Sequence, residues 1–233
     1  MRALLFDLDG TLTKSGGAGV RALSRALHAR PQAAEELSKM RLDGMTDRAI
    51  ARTLLAAEGD QAVPVEKRAR QVAEADIDRV LERYLEALAA ECARNAYTAL
   101  PGVAALLERL AQRSDVLIGL CTGNLARGAE LKLTSAGLWG RFRFGGYGSD
   151  AEPRAEIVRT AWRRAQELGA AEALVIGDTP RDVLAAHEAG LPVCAVATGS
   201  WTVHDLATHG PELVLRDFTD IDESLHLILG PTH

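Results

Sequence analysis

Ala3-Leu4-Leu5-Phe6-Asp7-Leu8-Asp9-Gly10-Thr11 is the stretch that decides the fold. Its apolar half is short, rich in strand formers and closed by a glycine turn, which predicts a buried strand ending at Asp7. A second stretch of the same form, Ala173-Leu174-Val175-Ile176-Gly177-Asp178-Thr179-Pro180-Arg181-Asp182, lies far downstream. Two buried strands that each deliver aspartates at their carboxyl ends fit an open α/β sheet, whose ligand crevice lies beyond those ends. Carboxylates collected there repel one another unless a cation joins them. A hard cation with oxygen ligands, Mg²⁺ above all, suits that donor set.

Outward from the first stretch, Gly16-Gly17 breaks the chain, and from Ala18 to about Arg94 only helical spacing is found. Val20, Leu23, Ala26 and Leu27 recur on one face, as do Ile50, Leu54 and Leu55. Thr46 is the expected N-cap of the second of these helices, with Asp47 in its first turn. Val65 to Cys92 reads as one long helix or two with a bend. Leu100-Pro101-Gly102 marks a return, and helices then alternate with strands. Strands are expected at Val116–Leu120, Phe142–Phe144, Ala173–Ile176, Val193–Val196 and Leu213–Leu215. Helices are expected at Val103–Gln112, Leu125–Ala136, Ala155–Leu168, Asp182–Ala189 and Val203–His209. Such alternation predicts a Rossmann-like, doubly wound α/β core with a mostly parallel sheet and helices on both faces. The domains expected are a core of residues 1–15 and 98–233 and an all-helical cap of residues 16–97, inserted after the first strand. Gly16-Gly17 and Leu100-Pro101-Gly102 would be its hinges.

A net charge of −5 over 233 residues supplies no general attraction to nucleic acid or to an anionic membrane. An anionic ligand must therefore be held locally. Cys92, Cys121 and Cys194 are far apart and form no ligand spacing, which argues for a reducing compartment. Cys121 and Cys194 lie in apolar runs and read as core residues. The N-terminus has too short an apolar run for a signal peptide, and no run reaches transmembrane length. A cytoplasmic protein, monomer or homodimer, is the expectation.

Two further segments complete the chemistry. Asp7 and Asp9 stand two residues apart and so project to one side in extended chain, and Gly10 permits the sharp turn after them. Cys121-Thr122-Gly123-Asn124 follows the strand at Val116, offering a hydroxyl, an amide free of a neighbouring Cβ, and candidate N-caps for the next helix. Glu152-Pro153-Arg154-Ala155-Glu156 places a cation ahead of Asp178. With Gly177-Asp178-Thr179-Pro180-Arg181-Asp182, these four motifs in this order resemble the haloacid dehalogenase superfamily with a helical cap, and the resemblance runs end to end.

The resemblance implies a phosphatase: a Mg²⁺-dependent hydrolase of a small phosphorylated metabolite, acting through an aspartyl-phosphate. It implies Asp7 as nucleophile, Asp9 as general acid and base, Thr122 and Arg154 as further catalytic groups, and Gly10, Thr11, Gly123 and Asn124 around the substrate. The metal would take Asp7, the Asp9 carbonyl and Asp178, with Asp182 behind them. The superfamily usually has a lysine where Arg154 stands, so Arg154 is read as its replacement, with Asp150 expected to orient it. Haloacid dehalogenases themselves lack the second aspartate, so Asp9 argues for phosphate over halide. Leu42-Asp43-Gly44-Met45-Thr46-Asp47-Arg48 resembles the cap loop that enters the crevice. Arg41 or Arg48 would there meet a second anionic group, such as the carboxylate of phosphoglycolate. A sugar-phosphate mutase remains an alternative, against which the absence of histidine in Ser15–Arg21 counts. A non-catalytic metabolite-binding regulator is the other.

Overall fold

The computed structural model describes residues 1–94 and 97–230. Five parallel pairings join six strands in the order β5-β4-β1-β6-β7-β8. These are β1 (Arg2–Phe6), β4 (Val116–Thr122), β5 (Phe144–Tyr147), β6 (Glu172–Gly177), β7 (Val193–Val196) and β8 (Leu213–Leu215). Two short strands, β2 (Thr13–Lys14) and β3 (Thr98–Ala99), form a separate antiparallel pair. β1 lies between β4 and β6, with Phe6 level with both Leu120 and Ile176.

Alternation along the strands explains the two-faced core. Leu4 and Phe6 of β1 pack on one face with Ile118, Leu120, Leu174 and Ile176. Helices α6 (Val103–Ala111), α7 (Ala126–Ser135) and α11 (Ile221–Leu229) cover that face. Ala3 and Leu5 point the other way, with Leu117, Cys121 and Val175, under α8 (Arg154–Glu167), α9 (Pro180–Glu188) and α10 (Val203–Ala207). Strands buried on both faces read as unbroken apolar runs, as these do. Cys121 and Cys194 are buried.

Residues 18–94 form helices α1 (Ala18–Ala26), α2 (Pro31–Lys39), α3 (Asp47–Ala57), α4 (Val65–Gln71) and α5 (Glu74–Arg94). They close around an apolar cluster of their own, which includes Leu23, Leu37, Leu54, Ile77, Leu81 and Leu88. Thr46 caps α3, accepting from the Ala49 amide at 3.2 Å.

The structure corrects several boundaries. β4 continues through Thr122, two residues past the expected end, and β5 begins at Phe144, where the expected strand ended. Helix α2 was not expected: it starts at Pro31, after Ala29 turns the chain at φ 65°, and only Ala33 and Leu37 are buried, too thin a stripe to read as periodic. It makes the Thr46-capped helix third in order. The closing helix α11 was also missed. Helix α9 starts at Pro180, two residues before the expected Asp182, with Thr179 as its N-cap and Asp182 completing a capping box from the third helical position. Gly102 is held at φ 81° against the Phe218 carbonyl, which a Cβ would approach to 1.8 Å. Among the described residues no helix is long and apolar enough to cross a membrane.

Candidate active site

The carboxyl ends of β1, β4 and β6 open into a cavity of about 370 Å³. Asp7, Asp9, Gly10, Thr122, Gly123, Asn124, Arg154 and Asp178 all line it. Its opposite wall comes from the helical segment, through Leu42, Asp43, Gly44, Met45 and Asp47 of the loop before α3. Thr11 and Asp182 stand behind this surface.

Asp7 leaves β1 with its amide bonded to the Ile176 carbonyl at 2.8 Å, so the backbone fixes it beside β6. Its carboxylate meets Arg154 at 2.9 Å. Arg154 also pairs with Asp182 and donates to the Gly44 carbonyl at 3.1 Å. Asp182 is fully engaged: one oxygen takes Arg154, the other takes the Thr179 amide at 3.0 Å and hydroxyl at 2.7 Å. Asp178 accepts the Thr11 hydroxyl on Oδ1 at 2.9 Å. Gly10, at φ 86°, leaves space that a Cβ would fill 2.3 Å from Asp178 Oδ2, so the glycine lets the two motifs touch.

Carboxylate oxygens of Asp7, Asp178 and Asp182 all lie within 4.8 Å of one another, and all three residues are buried. Burial pushes the Asp7 carboxyl up to about 6, against the pull of Arg154. Asp178 is held well above the ordinary carboxylate range by burial, then by Asp182 and Asp7. Burial opposes the charge on Arg154, but Asp182 and Asp7 outweigh it and keep the guanidinium charged. One guanidinium among three buried carboxylates leaves a shortage of positive charge, and oxygen-only donors suit a hard divalent cation. Because Asp182 is occupied, Asp7 and Asp178 are the carboxylates open to such an ion.

Asp9 differs from Asp7. Its side chain is 44% exposed and reaches into the cavity. Asn124 Nδ2 donates to its Oδ2 at 2.9 Å, and Lys132 Nζ meets the same oxygen at 2.5 Å. Asn124 also donates to Thr122 Oγ1 at 2.9 Å, and Lys132 donates to Asn124 Oδ1. Since Thr122 Oγ1 accepts here, its own hydrogen remains available to a ligand oxygen. Neither Thr122 nor Asn124 caps α7: the cap position is Leu125, and the carboxylate of Asp47 receives the Leu125 amide at 2.8 Å.

Lys132 is the site residue that sequence reasoning missed. It lies 123 positions from Asp9 and shows no motif. A faint signal existed in its place on the stripe of Ala129, Leu133 and Ala136, which faces the core. Three other expectations fail. Asp150 pairs with Arg164 at 2.8 Å rather than with Arg154. Arg48 is taken by Glu74 and Asp78, at 2.6 and 2.8 Å. Arg41 stacks on the Trp201 ring at 4.5 Å and pairs with Asp43 at 3.5 Å. Neither Arg41 nor Arg48 lines the cavity, because neighbouring groups outside it satisfy them.

A family model described as a haloacid dehalogenase-like hydrolase matches residues 1–190. A phosphoglycolate phosphatase of Caulobacter vibrioides is 29% identical, over 97% of this chain and 91% of that protein. A phosphoglycolate phosphatase of Yersinia pseudotuberculosis is 27% identical, over 95% of this chain and 91% of that one. Among solved structures, a hydrolase from Pseudomonas syringae superposes with a TM-score of 0.72 at 24% identity, covering 98% of this chain and 99% of its own, a likeness of fold.

Proposed function

The chain belongs to the haloacid dehalogenase-like hydrolases, and from that premise we propose that it is a Mg²⁺-dependent phosphatase of a small phosphorylated metabolite, with residues 16–97 as a cap over the site. The observation that carries the reading is the convergence of buried Asp7 and Asp178 with Arg154 at one end of a cavity into which Asp9 also points. The relatives named above point to phosphoglycolate as the first ester to try.

In this reading Asp7 attacks the phosphorus in line, and its oxygen–phosphorus bond forms as the ester oxygen–phosphorus bond breaks. Asp9, in its protonated form, gives its proton to the departing ester oxygen. Water then attacks the phosphorus of the aspartyl-phosphate while Asp9 takes a proton from it, which returns Asp7 and releases phosphate. Arg154 aims the Asp7 carboxylate through the 2.9 Å contact and is itself held by Asp182. Thr122 has its hydroxyl hydrogen free for a phosphoryl oxygen. Asn124 and Lys132 fix the rotamer of Asp9, which is otherwise exposed. Asp7, Asp178 and the Asp9 carbonyl would hold Mg²⁺, which supplies charge neutralisation for the phosphoryl oxygens.

The test is a panel of phosphorylated metabolites assayed with Mg²⁺ and with EDTA, on wild type and on Asp7→Asn. One strongly preferred ester, lost in EDTA and lost in the variant, is expected. Folded wild-type protein that turns over none of the panel would overturn the proposal.

A further inference from the structure

Beyond the phosphoryl end, the cavity continues toward the helical segment, where its lining changes character. Leu23, Ile50 and Leu81 make an apolar surround for a small set of polar groups: Thr13, Asp47, Tyr84, Tyr97, Asn124 and Lys132. Lys132 is 4% exposed, and its ammonium sits 5.6 Å over the Tyr97 ring. Burial works against its charge, but Asp9 first, then Tyr84, Tyr97 and Asp47, keep it protonated. An ammonium has three donors. Asp9 and Asn124 take two of them.

The hydroxyls nearby are also unspent. Tyr97 is 2% exposed and its hydroxyl makes no hydrogen bond of regular geometry, although the Ser15 hydroxyl interacts with it. Thr13 is fully buried and its hydroxyl has no partner either. Among the described residues, these two are the enclosed, unbonded side-chain groups that line this cavity. A buried donor left unbonded costs about 1–3 kcal/mol, so two in a cavity that also holds a buried ammonium mark a place built for acceptor oxygens. Gly19 keeps the space beside both phenols open: a Cβ there would come 3.5 Å from the Tyr97 hydroxyl and 4.0 Å from that of Tyr84. Besides Asp9, the carboxylates on this wall are Asp47, one of whose oxygens is already given to the Leu125 amide, and Asp43, which pairs with Arg41. Lys14 also lines the cavity, but it is exposed.

We propose that Lys132 and Tyr97 determine specificity, by holding a carboxylate on the leaving group, so that the substrate is a phosphorylated short hydroxy acid. The inference rests on the phosphatase reading of the same site. It assigns to Lys132 and Tyr97 the anion contact that Arg41 and Arg48 do not make. Asp9 and Asn124 leave the third donor of the Lys132 ammonium for a ligand oxygen, and a carboxylate would make a stronger, charge-assisted bond there than an uncharged hydroxyl would.

The experiment compares phosphoglycolate with ethyl phosphate, which has the same carbon chain and no carboxylate. The readout is the ratio of their kcat/KM values. Wild type is expected to favour the acid by a factor on the order of ten or more, the scale of one charge-assisted hydrogen bond. Lys132→Met should cut the ratio about tenfold. Tyr97→Phe, which keeps the ring over Lys132, should cut it about threefold. Any loss from misplacing Asp9 affects both esters alike and cancels in the ratio. Ratios unchanged in both variants, or a wild type indifferent to the carboxylate, would overturn the inference while leaving the phosphatase reading intact. Binding of both esters to Asp7→Asn protein with Mg²⁺, by calorimetry, decides the matter without turnover. Tighter binding of the acid, lost in the added Lys132→Met change, supports the inference, and equal binding overturns it. Absence of turnover of either ester would count against the phosphatase reading alone.

Discussion

Aspartates of one chemical kind are divided here by burial and partners. Asp7 is buried and pushed up to about 6, with Arg154 offsetting part of the cost of burial. Asp9, two residues on, is 44% exposed and tethered by Lys132. Asp47 is half-buried in the helical segment, and desolvation lifts it to about 6 against Lys132 and the Leu125 amide. That last shift has a readable consequence for stability. A carboxyl at about 6 in the folded chain and 3.8 unfolded binds more protons when folded across that window, so its contribution falls as pH rises from about 4 to about 6. The full difference of about two units amounts to at most about 3 kcal/mol. Asparagine keeps an acceptor for the Leu125 amide and does not titrate. Relative to wild type, Asp47→Asn should therefore gain stability between pH 4.5 and 7.5, by at most about 2 kcal/mol. Urea unfolding in EDTA at the two pH values measures it, and parallel wild-type and variant profiles would refute the assignment. The sequence placed Asp47 in a first turn but held no sign that its carboxylate would receive the Leu125 amide at the start of α7.

At the scale of elements, what could be read was what local chemistry controls. Short apolar runs ending in Asp-Gly or Gly-Asp gave β1 and β6, and Thr46 gave the start of α3, because a strand buried on both faces and a hydroxyl N-cap each have a sequence form of their own. Arg154 was legible through the resemblance, as a cation standing ahead of Asp178 where the superfamily usually has a lysine. Lys132 was not: a lysine on an amphipathic helix reads as solvated, and only the packing of α7 brings it to Asp9. Helix α2 was hidden by a thin apolar stripe, and the true partners of Arg41, Arg48 and Asp150 are tertiary. The loop before α3 shows how closely elements meet. The Asp47 amide donates to the Gly123 carbonyl at 2.9 Å, and Gly123 has space only because it lacks a Cβ, which would lie 2.6 Å from the Met45 carbonyl and 2.9 Å from Thr46 Cα. Both clashing atoms are backbone and cannot swing away. Gly123→Ala should therefore hold the loop off the core and lower kcat/KM at least about tenfold, the loss expected when catalytic groups are misplaced by an ångström. Melting temperature should change little, since the helical segment has its own apolar cluster. Unaltered kcat/KM would mean that the loop does not need this seat.

The molecule as a whole is two apolar clusters around a sheet and a third within the helical segment, joined by little chain. The joint is the β2–β3 pair, Thr13 opposite Ala99 and Lys14 opposite Thr98, with Gly16 and Gly17 at positive φ just beyond it. If the segment acts as a cap, closure has to be held by contacts across the seam that are weak enough to release product. Arg154 to the Gly44 carbonyl and Arg181 to the Asp43 carbonyl are two of them. Another is electrostatic: Arg52 on α3 grips Glu152 on the core, with Nε at 2.9 Å from one oxygen and Nη2 at 2.8 Å from the other. Their side chains are 20% and 28% exposed, so solvent screens the pair and its worth is about 1 kcal/mol at most. That is about fivefold in the ratio of closed to open forms. Glu152→Gln should then raise KM by up to about fivefold, with kcat nearly unchanged, and should flatten the rise of KM with salt that screening of this pair predicts for wild type. Arg52 also pairs with Glu74 at 2.6 Å, so Arg52→Gln alone would mix two losses. The cycle of Glu152→Gln, Arg52→Gln and the double variant isolates the contact across the seam. Coupling in KM, with the double variant little worse than Arg52→Gln, is the expected result. Strict additivity would show that the two side chains touch without holding the segment closed.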